Sequence, residues 1–168
     1  MSSKISSKIE FVANIAILCV ALLFGYFLIQ QIFIQKQTST DPPKQIAKGT
    51  KIKVSDIDWS KNEKNLLLVL QKGCKYCTES MPFYKDLVKK ASEKGVNLVA
   101  ILPNSLEESN QYLNEHGVEI KNVRQGSLSS VDVRGTPTLI MVNNKGEVSN
   151  SWIGKLPSGK QKEVISQL

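Results

Sequence analysis

The chain has 168 residues, of which 41% are hydrophobic and 22% are charged, and its formal net charge is +7. This composition fits one folded domain of ordinary size plus an appendage, and it excludes wholesale disorder. Lysine and arginine are spread along the whole chain, without a basic stripe interleaved with aromatic residues, so no nucleic-acid partner is expected.

The first predicted element is a transmembrane helix within residues 11–34, after a short N-terminal segment of residues 1–10. Residues 11–29 read FVANIAILCVALLFGYFLI, in which Asn14 is the one strongly polar side chain. About 20 apolar residues in a helix cross the hydrocarbon core of a bilayer. A cleaved signal peptide is the alternative, but its apolar region is usually about 7–15 residues long and ends in a small-x-small site, which the following QQIFIQKQTST lacks. We expect an uncleaved anchor in contact with membrane lipid.

Residues 35–53 are polar and contain Pro42-Pro43, which predicts a tether of ~15 residues before a domain over residues 54–168. Within the domain, short apolar runs predict strands, and apolar residues spaced three and four apart predict helices. In chain order the predicted elements are a strand over 66–70, a helix over 78–93, a strand over 97–102, a helix over 106–115 capped by Ser105, a short strand at Val123, a strand over 138–142, its hairpin partner over 148–153 and a helix over 158–168. Strand–helix–strand units pair in parallel and a hairpin adds an antiparallel edge, so this order predicts an α/β fold with a central mixed sheet flanked by helices.

Cys74 and Cys77 form the one close cysteine pair, at the predicted junction of a strand and a helix. The free N–H groups and the dipole of a helix N-terminus favour a thiolate, and Lys75 adds a positive charge. Because the thiolate is the attacking species, we expect Cys74 to attack a disulfide and Cys77, one turn inside the helix, to resolve the mixed disulfide.

Two other interpretations of the pair are weaker. A zinc site needs a second pair of ligands, which the sequence does not supply, and a structural disulfide closing so short a loop gives little stabilisation. Cys19 lies in the apolar run and is expected to be a small hydrophobic residue, while His116, the single histidine, is expected at the surface near a helix end. We therefore expect no metal and no cofactor besides a redox-active Cys74–Cys77 disulfide.

The orientation of the anchor is predicted from chemistry more than from charge. Two lysines precede the apolar run and five follow it before residue 54, so the positive-inside rule alone places the domain in the cytoplasm. That rule weakens when a folded domain follows the helix, and a tethered dithiol has a task in an oxidising compartment. We expect a single pass through the cytoplasmic membrane, with residues 1–10 inside and the domain on the extracytoplasmic, periplasmic side.

Two segments resemble the thioredoxin superfamily. GCKYCTESMPFY carries the cysteine pair and then Pro82, at the spacing where thioredoxins have a proline that kinks the active-site helix. GTPTLIMVNNKGEVSNSWIGKLPSGKQKEVI matches the loop proline, the next strand, the Asn-x-Gly turn, the glycine after the hairpin (Gly154) and the last helix. By this resemblance Pro137 is the cis-proline that faces the dithiol, with Thr136 before it, and the cis peptide leaves backbone groups free to pair with an extended substrate strand.

The resemblance covers about residues 57–168. Extra length around residues 104–133 is similar to the helix-and-strand insertion of the extracytoplasmic TlpA-like and peroxiredoxin-related branch, and residues 49–59 to its extra N-terminal strand or hairpin. The resemblance implies a membrane-anchored thiol–disulfide oxidoreductase that acts on protein thiols and disulfides. It also implies that the enzyme exchanges electrons with a membrane or extracytoplasmic dithiol partner. The residues implied to contact the substrate are Lys75, Tyr76, Thr136 and Pro137, and those implied to be structural are Pro82 and Gly154.

Three departures from the thioredoxin pattern leave the direction of electron flow open. Gly73 replaces the tryptophan before the dithiol, Lys75-Tyr76 replaces Gly-Pro, and Leu68 replaces the buried acid of the preceding strand. Reduction, oxidation and isomerisation of substrate disulfides all remain compatible with the sequence.

Two alternative functions are less well supported by the residues. Thiol peroxidases of this superfamily carry a Pro-x-x-x-Thr-x-x-Cys pattern, but Leu67 and Gln71 stand at the proline and threonine positions before Cys74, and Leu70 and Cys74 before Cys77. A non-catalytic tethered adaptor would keep the dithiol without using it, and replacing Cys77 separates that role from exchange chemistry.

Overall fold

The computed structural model describes residues 15, 17–27, 45–54 and 57–168, and the chain divides into two compact units, Met1–Pro42 and Pro43–Leu168. In the first unit, residues 15 and 17–27 form helix α1, whose large apolar side chains are exposed. Within the described ranges, no helix combines the length and the apolar character needed to cross a bilayer. The predictions for residues 1–10, for both ends of the anchor and for residues 35–44 lie outside the described residues.

The second unit is built on a five-stranded sheet in the order β3-β2-β1-β4-β5. Its strands are β1 (Lys64–Val69), β2 (Asn97–Leu102), β3 (Asn122–Gln125), β4 (Thr138–Asn143) and β5 (Val148–Ile153). β1 pairs with β2, and β2 with β3, in parallel, whereas β4 is antiparallel to both β1 and β5. The predicted mixed α/β sheet is therefore confirmed.

The central strand β1 is buried on both faces, which explains its continuous run of apolar residues. Leu66 and Leu68 point into an apolar cluster shared with Cys77, whereas Leu67 and Val69 point into a second cluster on the opposite face. This alternation follows the two-residue period of a strand. The two layers of side chains hold β1 in the middle of the sheet, so the position of its carboxyl end is fixed.

In the described part of the second unit, four α-helices accompany the sheet: α2 (Lys75–Glu79), α3 (Met81–Glu93), α4 (Leu106–Glu115) and α5 (Ser158–Gln167). The single helix predicted over residues 78–93 is wrong in two respects, since helix begins at Lys75 and is interrupted at Ser80. Pro82 has no N–H to continue the helical ladder, so α2 ends and α3 starts around it. The backbone N–H of Ser80 donates to the Cys77 carbonyl at 3.1 Å, and the N–H of Tyr84 to the Ser80 carbonyl at 3.1 Å.

The C-terminal part of the predicted tether, residues 45–53, belongs to the second unit and packs against its sheet instead of standing free. Ile46 and Ile52 are 7% and 6% exposed. The Ile46 N–H donates to Ser151 Oγ at 3.0 Å, and the Gly49 N–H donates to the Val148 carbonyl at 2.8 Å. The segment therefore covers the outer edge of β5, whose backbone groups need partners.

The extra N-terminal strand or hairpin predicted over residues 49–59 is reduced to two smaller features. Lys51 and Glu147 form one isolated antiparallel bridge, and Trp59–Lys61 forms a 3-10 helix capped by the Asp58 side chain. Residues 55 and 56 lie outside the described ranges.

Substituting Ile46→Ala is expected to lower the free energy of unfolding by about 2–4 kcal/mol, because the change empties a place in a closed apolar cluster. Urea unfolding of the full chain, followed by circular dichroism, measures the loss. Lys48→Ala, at an exposed position nearby, is the control and should shift the free energy by no more than about 0.5 kcal/mol. If Ile46→Ala unfolds like the wild type, residues 45–53 behave as a tether.

Candidate active site

The cysteine pair lies where β1 leaves the sheet. After Leu70 the chain turns through Gly73, whose φ of +81° lies in the left-handed region that glycine adopts without strain. Cys74 then occupies the N-cap position of α2. A tryptophan at position 73 would be strained, so the local backbone explains why this chain has glycine there.

Cys74 and Cys77 are joined by a disulfide bond, with their Cα atoms 5.2 Å apart. Cys77 is fully buried, whereas Cys74 is half-buried and reaches the surface. The backbone N–H of Cys77 donates to Cys74 Sγ at 3.2 Å. A hydrogen bond to the charged form of a group favours that form, so this contact stabilises a thiolate on Cys74 once the disulfide is reduced.

The loop before β4 lies against the same sulfur. The Thr136–Pro137 peptide is cis, and the Thr136 carbonyl oxygen is 3.4 Å from Cys74 Sγ. Pro137 is buried, and its own carbonyl accepts the N–H of Gly154 at 2.7 Å. Gly154 has a φ of +83°, which makes glycine the favoured residue at that turn. The structure thus places Thr136, Pro137 and Gly154, which were singled out from the sequence, next to one another beside the cysteine pair.

Lys75 and Tyr76, which separate the cysteines, project into solvent, and Tyr76 is 56% exposed. Glu79, at the end of α2, bonds Lys155 Nζ through Oε2 at 2.8 Å and lies 3.9 Å from Lys75 Nζ through Oε1. The hydrogen bond from Lys155, with the positive charges of Lys155 and Lys75, lowers the pKa of Glu79 below its ordinary value.

Neither Glu79 nor Lys155 was predicted from the sequence to belong to the site. The spacing of four residues between Lys75 and Glu79 is a helical signal that could have identified the first. Lys155 carries no local signal, because it reaches Glu79 from the segment after β5.

The interior behind the disulfide is apolar in the part of the chain that the structure describes. Leu68, at the position of the thioredoxin acid, is fully buried in the cluster that contains Cys77. No Asp or Glu side chain is buried in the part of the chain that the structure describes. The titratable groups of this cluster besides the cysteines are Tyr84 and Tyr112, and burial raises the pKa of Tyr84 further above its ordinary value.

The remaining residues singled out from the sequence lie away from the disulfide or play local roles. Pro82 is exposed in the first turn of α3, where its ring separates the two helices. His116 caps the end of α4, where its Nδ1 contacts the Tyr112 carbonyl at 2.8 Å. Across the described ranges, no group of three His, Cys, Asp or Glu side chains is placed to hold a metal ion.

A profile of the AhpC/TSA family matches residues 39–152, more than half of the chain. The chain belongs to the AhpC/TSA family. It is 25% identical over 141 residues to a thiol-disulfide oxidoreductase ResA of Bacillus thuringiensis, which covers 78% of this chain and 80% of that protein. A ResA of Bacillus anthracis matches to the same extent.

Solved structures of thioredoxin and thiol:disulfide interchange proteins share the fold. A thiol:disulfide interchange protein DsbE from Chlorobium tepidum aligns with a TM-score of 0.57 at 18% identity, over 73% of this chain and 95% of that one. A thioredoxin from Neisseria meningitidis aligns with a TM-score of 0.54 at 18% identity, over 75% of this chain and 87% of that one. These findings confirm the predicted thioredoxin superfamily and its redoxin-type branch, and the chain is a thiol–disulfide oxidoreductase.

The Glu79 carboxyl is expected to titrate below the ordinary glutamate value of 4.5, since Lys155 stabilises its charged form. Carbon-13 NMR of the side-chain carboxyl measures the midpoint. Lys155→Met should move that midpoint up toward 4.5, and Lys75→Met should move it less, because Lys155 is the stronger contact. An unchanged midpoint in Lys155→Met would contradict the ion pair.

The same ion pair has a defined effect of pH on stability. Folding lowers the pKa of Glu79, so the ion pair stabilises the folded state fully above the ordinary value of 4.5. This stabilisation is lost as pH falls from there through the pKa of Glu79 in the folded state. The difference in stability between wild type and Glu79→Gln should therefore disappear in acid, and a difference that grows in acid would have the wrong sign.

Proposed function

We propose that the chain is a membrane-tethered enzyme that exchanges disulfides with exported proteins through Cys74 and Cys77. The observation that carries this proposal is the asymmetry of the pair. The Cys74 sulfur reaches the surface beside the Thr136 carbonyl, whereas Cys77 is fully buried and donates its N–H to that sulfur. One sulfur is accessible to a substrate, and the other is accessible only to its partner.

The chemistry follows from this asymmetry. In the reduced enzyme the Cys74 thiolate attacks a substrate disulfide, one substrate sulfur leaves as a thiolate, and a mixed disulfide forms. The Cys77 sulfur then attacks Cys74, which restores the Cys74–Cys77 bond and releases the second substrate sulfur. Two electrons pass from the dithiol to the substrate, and the oxidised enzyme runs the same steps in reverse on a substrate dithiol. The redox-active disulfide itself is the cofactor in this scheme.

The substrate is held, in this proposal, by the residues around the accessible sulfur. Lys75 and Tyr76 project beside it on α2, and Thr136 and Pro137 lie beneath it. An extended substrate strand can pair with backbone groups of the Thr136 loop, which brings its cysteine onto Cys74. The names of the relatives, thiol-disulfide oxidoreductase and thiol:disulfide interchange protein, support protein thiols and disulfides as substrates.

The membrane attachment is supported by the apolar run of residues 11–29 and by the exposed apolar side chains of α1. A helix that exposes Leu22, Leu23 and Phe24 at 62–73% is poorly suited to water and well suited to lipid. We propose a single span within residues 11–34 of the cytoplasmic membrane, with the domain on the extracytoplasmic side. A membrane or extracytoplasmic dithiol protein then regenerates the enzyme.

Cys77→Ala is expected to accumulate mixed disulfides with exported proteins through Cys74, because the resolving sulfur is gone. Non-reducing gels and mass spectrometry of the trapped species measure the effect. Cys74→Ala and Cys19→Ala are the matched controls: the first should trap no partner, and the second should exchange like the wild type. An adaptor would show no covalent partner in Cys77→Ala and would keep its activity.

The reduction potential of the Cys74–Cys77 pair determines the direction of electron flow. A value near the thioredoxin value of about −270 mV assigns a reductase, and one near about −120 mV assigns an oxidant. Equilibration of the full chain with glutathione buffers, followed by thiol counting, gives the potential.

Peroxide consumption separates this function from that of a thiol peroxidase. Leu67 and Gln71 stand at the positions where peroxidases have the proline and threonine before the reactive cysteine. Neither supplies a hydroxyl to a peroxide at Cys74. The reduced protein is therefore expected to leave hydrogen peroxide unconsumed under conditions in which it reduces protein disulfides, and rapid consumption would favour the peroxidase.

A further inference from the structure

Helix α2 follows directly on the accessible cysteine but has little packing of its own. It is five residues long, and of these described residues only Cys77 is buried. Most of the stability of a helix in a protein comes from the packing of a buried face, so α2 needs other contacts to stay fixed against the sheet. The contact at its far end, made by Glu79, is one of them.

The Glu79 side chain connects α2 to the segment that follows β5. Its Oε2 atom is 2.8 Å from Lys155 Nζ. Lys155 directly follows Gly154, whose N–H donates to the Pro137 carbonyl at 2.7 Å. The far end of α2 is thereby joined to the loop that begins β4.

The same loop returns to the sulfur at the start of α2. Thr136 precedes Pro137, and its carbonyl oxygen is 3.4 Å from Cys74 Sγ. Once the disulfide is reduced, a Cys74 thiol can donate a hydrogen bond to this oxygen, whereas a thiolate has no proton to donate and is repelled by it. The Thr136 contact therefore favours the thiol, and the N–H of Cys77, 3.2 Å from the same sulfur, favours the thiolate.

We propose that Glu79 and Lys155 are positioning residues of the exchange reaction, which hold the Thr136 carbonyl against the Cys74 sulfur and so restrain formation of the attacking thiolate. This inference rests on the proposed role of Cys74. With the ion pair in place, the loop and α2 stay together when the thiolate forms, and the repulsion from the carbonyl oxygen persists. Without the ion pair they move apart, and the thiolate forms at lower pH.

Charge can also act on the sulfur directly, without any change of position. Lys75 is 3.9 Å from Glu79, and Lys72 is 4.0 Å from Glu108. Besides Glu79, the charged side chains in residues 72–79 and 132–136 are all exposed; they are Lys72, Lys75, Asp132 and Arg134. The variants that test the proposal leave these four residues unchanged.

The two mechanisms differ in the sign of their effects. A nearby positive charge favours a thiolate, and a nearby negative charge disfavours it. If charge alone matters, Lys155→Met raises the pH at which Cys74 forms a thiolate and Glu79→Gln lowers it. If the ion pair positions the loop, both variants lower that pH, because each breaks the same contact.

The pH profile of Cys74 alkylation tests the proposal. The full chain is reduced with dithiothreitol, freed of reductant and labelled briefly with iodoacetamide over a pH range that spans the ordinary cysteine value of about 8.5. Because the thiolate is the reacting species, the midpoint of the profile reports thiolate formation. Mass spectrometry locates the label on Cys74, Cys77 or Cys19, and the rate at which the same samples reduce a peptide disulfide is measured in parallel.

Lys155→Met and Glu79→Gln are each expected to lower the midpoint by about half a pH unit, roughly a threefold rise in the ratio of thiolate to thiol, which is the size expected from one exposed ion pair. The double variant should shift no further than either single variant, because both changes remove one contact. Lys155→Arg keeps the positive charge and its donors, so it should keep the wild-type midpoint.

Lys160→Met is the matched control. Lys160 Nζ is 2.7 Å from Glu163 Oε2, in an ion pair on α5 that is exposed to a similar degree as the Glu79–Lys155 pair. This variant loses the same charge without touching the contacts that join α2 to the Thr136 loop. Its midpoint should equal that of the wild type.

The outcomes separate positioning from charge and from the exchange activity. A midpoint that rises in Lys155→Met, or that returns to the wild-type value in the double variant, assigns the effect to charge alone and overturns the positioning role. Unchanged midpoints in both single variants overturn it as well. In each of these cases continued reduction of the peptide disulfide leaves the proposed function standing, whereas a wild type that reduces no peptide disulfide and is not labelled at Cys74 overturns that function.

Discussion

The antiparallel pairing of β1 with β4 is the constraint on which the active site depends. Val69 lies opposite Thr138, so the loop that ends β1 and the loop that begins β4 leave the sheet side by side. This register places the Cys74 sulfur 3.4 Å from the Thr136 carbonyl. A slip of one residue would turn every side chain of β1 to the opposite face and would exchange its two apolar clusters. Burial on both faces therefore protects the geometry of a site that itself lies at the surface.

The parts of this arrangement that follow from local signals could be predicted from the sequence. β2 and β5 have their predicted bounds, since each is a short segment between clear turn residues, and α4 begins after Ser105, whose Oγ accepts the Glu108 N–H at 3.2 Å. The association of Pro137 with the cysteine pair follows from the resemblance of the two segments that contain them to the thioredoxin superfamily. Local patterns of this kind are visible without knowledge of the tertiary structure.

Other features depend on contacts between distant parts of the chain, and the sequence does not reveal them. The segment around Ile46 is polar overall, so its packing on β5 depends on two isoleucines in a stretch that otherwise resembles a linker. Lys155 finds Glu79 only after the sheet has formed. The break at Ser80 is partly predictable from the sequence, because Pro82 indicates a disturbance of the helix but does not specify where α2 ends.

The covered edge of β5 also determines how mechanical load enters the domain. The N–H groups of Ile46, Gly49 and Ile52 donate to Ser151, Val148 and Gly146 in turn, so the segment is hydrogen-bonded to β5 at two points and to the turn before it at a third. Tension applied to the chain ahead of residue 45 is borne first by these hydrogen bonds and by the buried Ile46 side chain. The strand that carries the load is the outermost one, separated from β1 by β4. Pulling on the N-terminal side thus strains the rim of the sheet before it reaches the strand that positions the sulfurs.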